Sequence, residues 1–235
     1  MILPTLNERE NVPVLVQEIL CLSIPDLEIL VVDDASTDGT VPILRETFPH
    51  EDRLRIIERS GKSPGLVNSL KDGIENSTSE FLIWMDADRQ MPTSLIPKLI
   101  ENLTPDVTSV VGSRFLPGGS DLRNSHLCSL VTLHRMLSWI FSRTTRLLLA
   151  MPFTDYTSGF IAIRKDFLES SRLIGGHGEY FLYLLHSLHK EGKVVKEIPY
   201  SLSPRKRGIS KTSGGNFSGL MNRGLPYLQA LFRLI

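Results

Sequence analysis

The stretch LIWMDADRQMP, residues 82–92, places Asp86 and Asp88 one residue apart, directly after an apolar run. The run has the composition of a buried strand and Pro92 stops it, so the two aspartates can be interpreted as a solvated turn. They can also be interpreted as a site for a divalent cation, because Mg²⁺ and Mn²⁺ prefer hard oxygen ligands and take one or two protein carboxylates together with phosphate oxygens. The choice between the two depends on the rest of the chain.

Up to Arg114, strand-like and helix-like patterns alternate along the chain. Continuous apolar runs such as LEILVV, residues 27–32, predict strands covered on both faces, and helical spacing of apolar residues predicts the segments between them. This alternation predicts an α/β fold with a mainly parallel sheet and helices on both faces. In such sheets the site lies beyond the carboxyl ends of the strands, which gathers residues 4–8, 33–34 and 86–90 at one edge.

The pattern changes after Arg114. The segments that follow are a long helix over residues 124–150, a strand and then a helix over 157–168, a helix leading to a strand over 178–200, a basic glycine-containing loop over 203–215, and an apolar helix to the end of the chain. We expect a catalytic domain over residues 1–211 and a C-terminal amphipathic helix over residues 212–235.

Composition narrows the function classes. Basic and acidic residues balance at 26 each, so bulk electrostatic binding to nucleic acid is not expected. Cys21 and Cys128, the two cysteines, lie in no metal-type or redox-type pair, which predicts a reducing, cytoplasmic setting. The apolar opening is too short for a secretory signal, and no stretch reaches the roughly 18 apolar residues of a spanning helix.

Six motifs, in a fixed order, carry a resemblance to a known family. They are Pro4-Thr5-Leu6-Asn7-Glu8; Val32-Asp33-Asp34 with Asp38-Gly39-Thr40; Asp86-Ala87-Asp88 with Gln90; GSRF at residues 112–115 with Gly118 and Gly119; DYTSGFIAIRK at 155–165; and EIPYSLSPRKRGISK at 197–211. With these motifs the sequence resembles the inverting glycosyltransferases of family 2, and within them the dolichyl-phosphate (polyprenyl-phosphate) mannosyltransferases. The resemblance implies the GT-A fold of nucleotide-diphospho-sugar transferases, with a Rossmann-like sheet.

The resemblance also implies a reaction, namely inverting transfer of a hexose to a polyprenyl or dolichyl phosphate with the help of a metal. Mannose from GDP-mannose is the leading choice of donor. Two alternatives stay open. One is the same fold acting with a UDP-sugar (glucose or N-acetylhexosamine) or on a saccharide acceptor, and the other is a catalytically silent nucleotide-binding protein that docks on a membrane.

Roles for individual residues follow from the same resemblance. Asp86, Asp88 and Gln90 would hold Mg²⁺ or Mn²⁺, with the Gln amide oxygen binding a cation without adding a third negative charge. The residues implied in donor binding are Pro4, Leu6, Glu8, Val32, Asp34, Asp86, Ala87, Asp88, Arg205 and Lys211. The implied catalytic residues are Asp88, Arg114 and Arg205. Arg205 and Lys211 would bring positive charge to the leaving diphosphate, and Arg can bind two of its oxygens at once.

Arg114 falls where the family binds the acceptor's phosphate. A lipid monophosphate is already an anionic nucleophile at neutral pH, since its second pKa is about 6, so no general base is expected. The family's second phosphate-binding Arg aligns on His134 or, with a shift of one residue, on Arg135, and both remain candidates.

Two stretches, residues 137–151 and 225–235, combine apolar and aromatic residues with Arg. That composition is typical of helices lying in a membrane interface, and the alternative is packing against the sheet or a partner chain. We expect peripheral attachment to the cytoplasmic face of a membrane. The sequence does not indicate an oligomeric state.

Overall fold

The computed structural model describes residues 1–123, 130–168, 173–207 and 217–235. Its strands are β1 (Ile2–Thr5), β2 (Ile29–Asp33), β3 (Leu54–Glu58), β4 (Phe81–Trp84), β5 (Ser109–Ser113), β6 (Ser120–Asp121), β7 (Ile161–Arg164), β8 (Val195–Pro199) and β9 (Ser201–Leu202). Its helices are α1 (Val12–Leu20), α2 (Thr40–Thr47), α3 (Leu66–Asn76), α4 (Leu95–Asn102), α5 (Leu130–Leu148), α6 (Tyr180–Lys190) and α7 (Phe217–Leu234). Cys128, Lys211 and the start of the helix expected from residue 124 lie outside the described residues.

One seven-stranded sheet organises the described chain, in the order β3-β2-β1-β4-β7-β5-β8. Its neighbours pair in parallel except at β7, which is antiparallel to both β4 and β5. A second, short ladder pairs β6 with β9 in parallel. The predicted α/β fold with a mainly parallel sheet is therefore confirmed.

Helices cover the sheet on both faces, and the side chains of β2 show how. Leu30 and Val32 join one apolar core with Leu70 of α3, whereas Ile29 and Val31 join the other core with residues of α1. Successive residues of a strand point to opposite faces, so a continuous apolar run is what a strand between two helix layers requires.

The strand directions explain why the predicted site residues meet. Strands β1, β2 and β4 are parallel, and Thr5 lies opposite Asp33 in the register of the first two. Since β7 is antiparallel to both β4 and β5, β5 runs parallel to β4 and also ends at this edge, with Arg114 directly after it. Asp86 and Asp88 follow β4, as the sequence predicted.

Helices α5 and α7 lie against each other beyond this edge, and α7 also contacts α6. Among the described residues, none of the helices is both long and apolar enough to cross a membrane.

Candidate active site

A cavity of about 550 Å³ opens at the carboxyl edge of the sheet. One side is polar and carries Asp86, Asp88 and Gln90 from the segment after β4, with Arg114, Arg123 and His134 near them. The opposite side is apolar and is formed by two helices, with Leu137, Ile140 and Phe141 from α5 and Leu225, Leu228 and Leu231 from α7. The arrangement suits a ligand that is charged at one end and apolar at the other.

Asp86 and Asp88 lie at the polar end of the cavity. Solvent reaches Asp86 through the cavity while protein surrounds its other sides. The surrounding protein desolvates the carboxyl group, and this effect, together with the neighbouring carboxylates of Asp88 and Glu8, raises the pKa of Asp86 to about 7. Burial also raises the pKa of Asp88, against the opposing effects of the Gln90 N–H and the Arg205 guanidinium. Carboxylates that disfavour each other's ionisation in this way are stabilised by a nearby cation.

The oxygen atoms of Asp86, Asp88 and Gln90 fit a divalent cation whose remaining coordination positions are filled by a substrate. The Gln90 side chain donates its amide hydrogen to the Ser203 carbonyl oxygen at 3.0 Å, so its amide oxygen is the atom left for a cation. In the described part of the chain, no three His, Cys, Asp or Glu side chains cluster into an all-protein metal cage. Two carboxylates and an amide oxygen match Mg²⁺ or Mn²⁺, which usually keep positions for phosphate oxygens.

Arg205 ties the basic loop to this end of the cavity. Its guanidinium donates to Asp88 Oδ2 at 3.3 Å and also forms an ion pair with Glu8. Asn11 holds the arrangement from the side, donating to Glu8 Oε2 at 2.7 Å and to the Arg207 carbonyl oxygen at 3.2 Å. Three residues that the sequence assigned to donor binding, at positions far apart in the chain, are therefore in direct contact.

The other predicted donor-binding residues border the same edge. Leu6 is exposed and Pro4 is half-buried, whereas Val32 and Ala87 are buried in the core, so any contact they make with a ligand must come from the main chain. Asp33, beside Asp34, accepts hydrogen bonds from the Ser36 backbone and hydroxyl, which orients the loop after β2.

Asp34 has a partner that sequence reasoning missed. It accepts a hydrogen bond from the Gly65 N–H at 2.7 Å and is ion-paired with the buried guanidinium of Arg59. Arg59 also donates to Asp72 at 2.8 Å and to the Ser63 carbonyl oxygen at 2.8 Å. In the sequence, Arg59 is a single charged residue at the end of an apolar stretch, and its position directly after β3 is seen only in the structure.

Arg114 is held rigidly and buried. Its Nε and Nη2 atoms donate to the two oxygens of Asp155, both at 2.8 Å, and Nη2 also donates to the Thr157 hydroxyl at 2.5 Å. Asp155 is itself held by Glu197, which accepts hydrogen bonds from the backbones of Thr154 and Asp155. The guanidinium lines the same cavity as Asp86 and Asp88.

The two candidates for a second acceptor-binding residue are placed differently. His134 lines the cavity, and its Nδ1 lies 3.2 Å from Nη1 of Arg123. Burial and the Arg123 and Arg114 guanidiniums lower the pKa of His134 to about 4, so this imidazole is neutral at pH 7. Arg135 is about a third exposed, at 34%, and does not line the cavity. Arg123, which sequence reasoning missed, does.

Comparison with known proteins gives several similarities. The sequence profile of the family described as Glycosyl transferase family 2 matches residues 1–172. The undecaprenyl-phosphate mannosyltransferase of Micrococcus luteus is 31% identical, over 91% of this chain and 87% of that protein. The polyprenol monophosphomannose synthase of Mycolicibacterium smegmatis is 31% identical, over 94% of this chain and 83% of that protein.

A solved structure is similar in fold. The glucosyl-3-phosphoglycerate synthase of Mycobacterium tuberculosis, in complex with Mn²⁺, uridine diphosphate and glucosyl-3-phosphoglycerate, superimposes with a TM-score of 0.71. The match covers 99% of this chain and 78% of that one at 15% identity. At that identity the likeness bears on the fold alone.

Proposed function

The chain belongs to glycosyl transferase family 2 and has the GT-A fold, and from this premise we propose that it transfers mannose from GDP-mannose to a polyprenyl phosphate. The observation that carries the proposal is the two-sided cavity, in which paired carboxylates and buried guanidiniums face an apolar wall of α5 and α7. The names of the two mannosyl-transferring relatives support both the sugar and the acceptor class.

At the donor end, Asp86, Asp88 and Gln90 would hold Mg²⁺ or Mn²⁺. The bound cation would neutralise the negative charge that develops on the departing diphosphate. Arg205 already contacts Glu8 and Asp88, and it would exchange these carboxylates for phosphate oxygens when the donor binds. Asp34 and the backbone around Pro4 and Leu6 would contact the nucleoside.

At the acceptor end, the phosphate oxygen is the nucleophile. It is anionic before it reacts, so no side chain has to remove a proton from it. Arg114, fixed by Asp155 and Thr157, would hold this phosphate, and the apolar wall would take the first isoprenoid units. A single displacement at the anomeric carbon inverts its configuration, so an α-linked donor gives a β-linked product.

A donor and acceptor panel tests the proposal. With Mg²⁺ or Mn²⁺ and undecaprenyl phosphate in detergent micelles, we expect transfer from GDP-mannose and not from UDP-glucose or UDP-N-acetylglucosamine. Undecaprenol, which lacks the phosphate, is the matched control acceptor and should receive no sugar. Product formation is measured by mass spectrometry, and the anomeric configuration by NMR. Transfer from a UDP-sugar would contradict the donor, and nucleotide binding without any turnover would favour the silent protein.

We also propose that exposed apolar side chains on α5 and α7 attach the protein to a membrane surface. Trp139 and Leu147 of α5 are 49% and 79% exposed, and Phe232 of α7 is 76% exposed. Arg143 lies over the Trp139 ring at 5.6 Å, and a positive charge beside an apolar face is typical of helices in an interface. Phe141, by contrast, packs edge-to-face on Tyr227 at 5.4 Å, so the two stretches combine an interface-like face with a packed one.

Replacing Trp139 and Phe232 together with Ser is expected to weaken binding to anionic liposomes. The variant loses apolar area that the folded protein leaves exposed, so its melting temperature should stay close to the original. The matched control replaces Val14 and Val194, which are exposed elsewhere, with Ser. Co-sedimentation with phosphatidylglycerol vesicles at low and high salt is the measurement, and binding should fall with salt because it includes attraction to anionic lipid. Equal binding of the variant and the original protein would contradict the assignment of this face.

A further inference from the structure

We infer that Arg123 is the second cation that binds the acceptor's phosphate beside Arg114, in place of His134 or Arg135. The inference rests on the proposed function, since it concerns the polyprenyl phosphate that this function requires. It assigns a ligand-binding role to a residue that the family motifs do not reach.

Arg123 lies at the right place in the fold. It lines the polar side of the cavity together with Arg114, Asp86 and Asp88. The segment before it is fixed by the short β6–β9 ladder, which continues as a hydrogen bond from the Leu122 N–H to the Leu202 carbonyl oxygen at 2.8 Å. A guanidinium carried by an anchored segment is oriented before a ligand arrives.

The contacts of Arg123 orient its guanidinium and leave some of its N–H groups available for a ligand. Its Nε and Nη2 donate to the two oxygens of Asp121 at 2.8 and 2.5 Å, and Nη1 lies 3.2 Å from Nδ1 of His134. Arginine has five N–H donors, and within the described residues these contacts use three of them. Two donors therefore remain, and a guanidinium suits phosphate oxygens better than a point charge does.

The charges at this end of the cavity favour an anion. Asp121 faces three guanidiniums, with Arg123 in direct contact, Arg114 at 3.7 Å and Arg135 at 3.8 Å. Asp155, the other carboxylate of the group, is already engaged by Arg114. Around Asp121, three guanidiniums thus share one carboxylate, and a phosphate monoester would give Arg114 and Arg123 a second anionic partner.

His134 and Arg135 are less suited to the role. Because His134 is neutral at pH 7, its Nδ1 can accept a hydrogen bond from Arg123, and the imidazole then orients that guanidinium instead of adding a charge. Arg135 donates to the Arg123 carbonyl oxygen at 3.4 Å from outside the cavity. Both residues therefore support Arg123.

Substituting Arg123 with Gln is expected to raise the KM for polyprenyl phosphate by about tenfold to a hundredfold, the scale of losing a charge-assisted hydrogen bond. The KM for GDP-mannose and kcat should change little, and Arg123→Lys should recover part of the loss because it keeps the charge. Arg53→Gln is a matched control. Arg53 donates from Nε and Nη2 to the two carboxylate oxygens of Glu51, two residues before it, as Arg123 does to Asp121, but this pair lies on the surface.

Steady-state kinetics with undecaprenyl phosphate in micelles decides the outcome, with thermal melting as a check of folding. If Arg123→Gln melts well below Arg53→Gln, Arg123→Met, which keeps an unbranched side chain without the charge, is measured instead, and an unchanged acceptor KM in a folded Met variant overturns the inference. It is also overturned if Arg135→Gln raises the acceptor KM and Arg123→Gln does not. If the original protein uses no polyprenyl phosphate, the proposed function fails and this inference fails with it. If the original protein transfers the sugar and Arg123→Gln behaves like the control, this inference fails alone.

Discussion

Replacing Asp88 with Ala is expected to lower kcat about a thousandfold, which corresponds to about 4 kcal/mol in the activation barrier. Asp88 would bind the proposed cation, and it accepts a hydrogen bond from the Arg205 guanidinium at 3.3 Å. Its removal would weaken the binding of the cation and would also take away one of the two carboxylate contacts of Arg205. The charge that develops on the departing diphosphate would then be poorly neutralised.

Two measurements are needed to separate catalysis from metal binding. Turnover of GDP-mannose gives the change in kcat, and electron paramagnetic resonance of Mn²⁺ titrated in the presence of GDP gives the change in affinity for the cation. Asp52→Ala is the matched control. Asp52 is exposed and lies just before β3, at the sheet edge opposite the cavity, so this variant should match the original protein in both measurements. Turnover that survives a chelator would remove the metal from the mechanism.

Asp155→Ala is expected to lower the free energy of unfolding by about 3–5 kcal/mol, the scale of leaving one member of a buried ion pair without its partner. Asp155 is fully buried and accepts hydrogen bonds from the Arg114 backbone and from two nitrogens of its side chain. Without it, the Arg114 guanidinium would stay in the protein interior with little solvent to compensate its charge. We also expect acceptor binding to weaken, because the guanidinium would lose its fixed direction.

Urea unfolding followed by circular dichroism measures this loss. Glu51→Ala, which removes the carboxylate of the exposed pair with Arg53, is the matched control and should change stability little, since surface pairs contribute little. The double variant Arg114→Met with Asp155→Leu should recover much of the stability without recovering transfer. A loss in Asp155→Ala no larger than in the control would contradict the importance of the buried pair.

Much of the fold follows from local patterns in the sequence. The apolar run of β2 and the helical spacing of α1 identify their elements without any knowledge of their neighbours, and parallel strands then bring Asp34 and Asp86 to one edge. The position of β7 could not be predicted in this way. Its residues, Ile161–Arg164, show that a strand exists, but which strands it pairs with depends on contacts between distant parts of the chain.

In the candidate site, too, residues close together in the sequence were predictable and contacts between distant residues were not. Asp86, Asp88 and Gln90 belong to one short segment, so their proximity was predictable. The contact of Arg205 with Glu8 joins residues 197 positions apart and was suggested only by the family motifs. Arg59 and Arg123 went unnoticed because a lone arginine after a strand is usually a solvated residue. Their burial and their carboxylate partners become visible only in three dimensions. The ligands of the predicted site residues stay predictions.

The central position of β7 has a consequence for how the chain is made. Synthesis proceeds from the N-terminus, so β1 to β4 exist well before residues 161–164, and β4 meanwhile has an unpaired edge next to the buried side chains of Leu82 and Trp84. Such an edge can pair with another chain, which is a route to aggregation. The sheet is completed only when β7 inserts between β4 and β5, whereas β8 is added later at an outer edge. We therefore expect fragments that stop before residue 161 to be insoluble, and the yield of native protein to depend on how quickly the nascent chain passes that point.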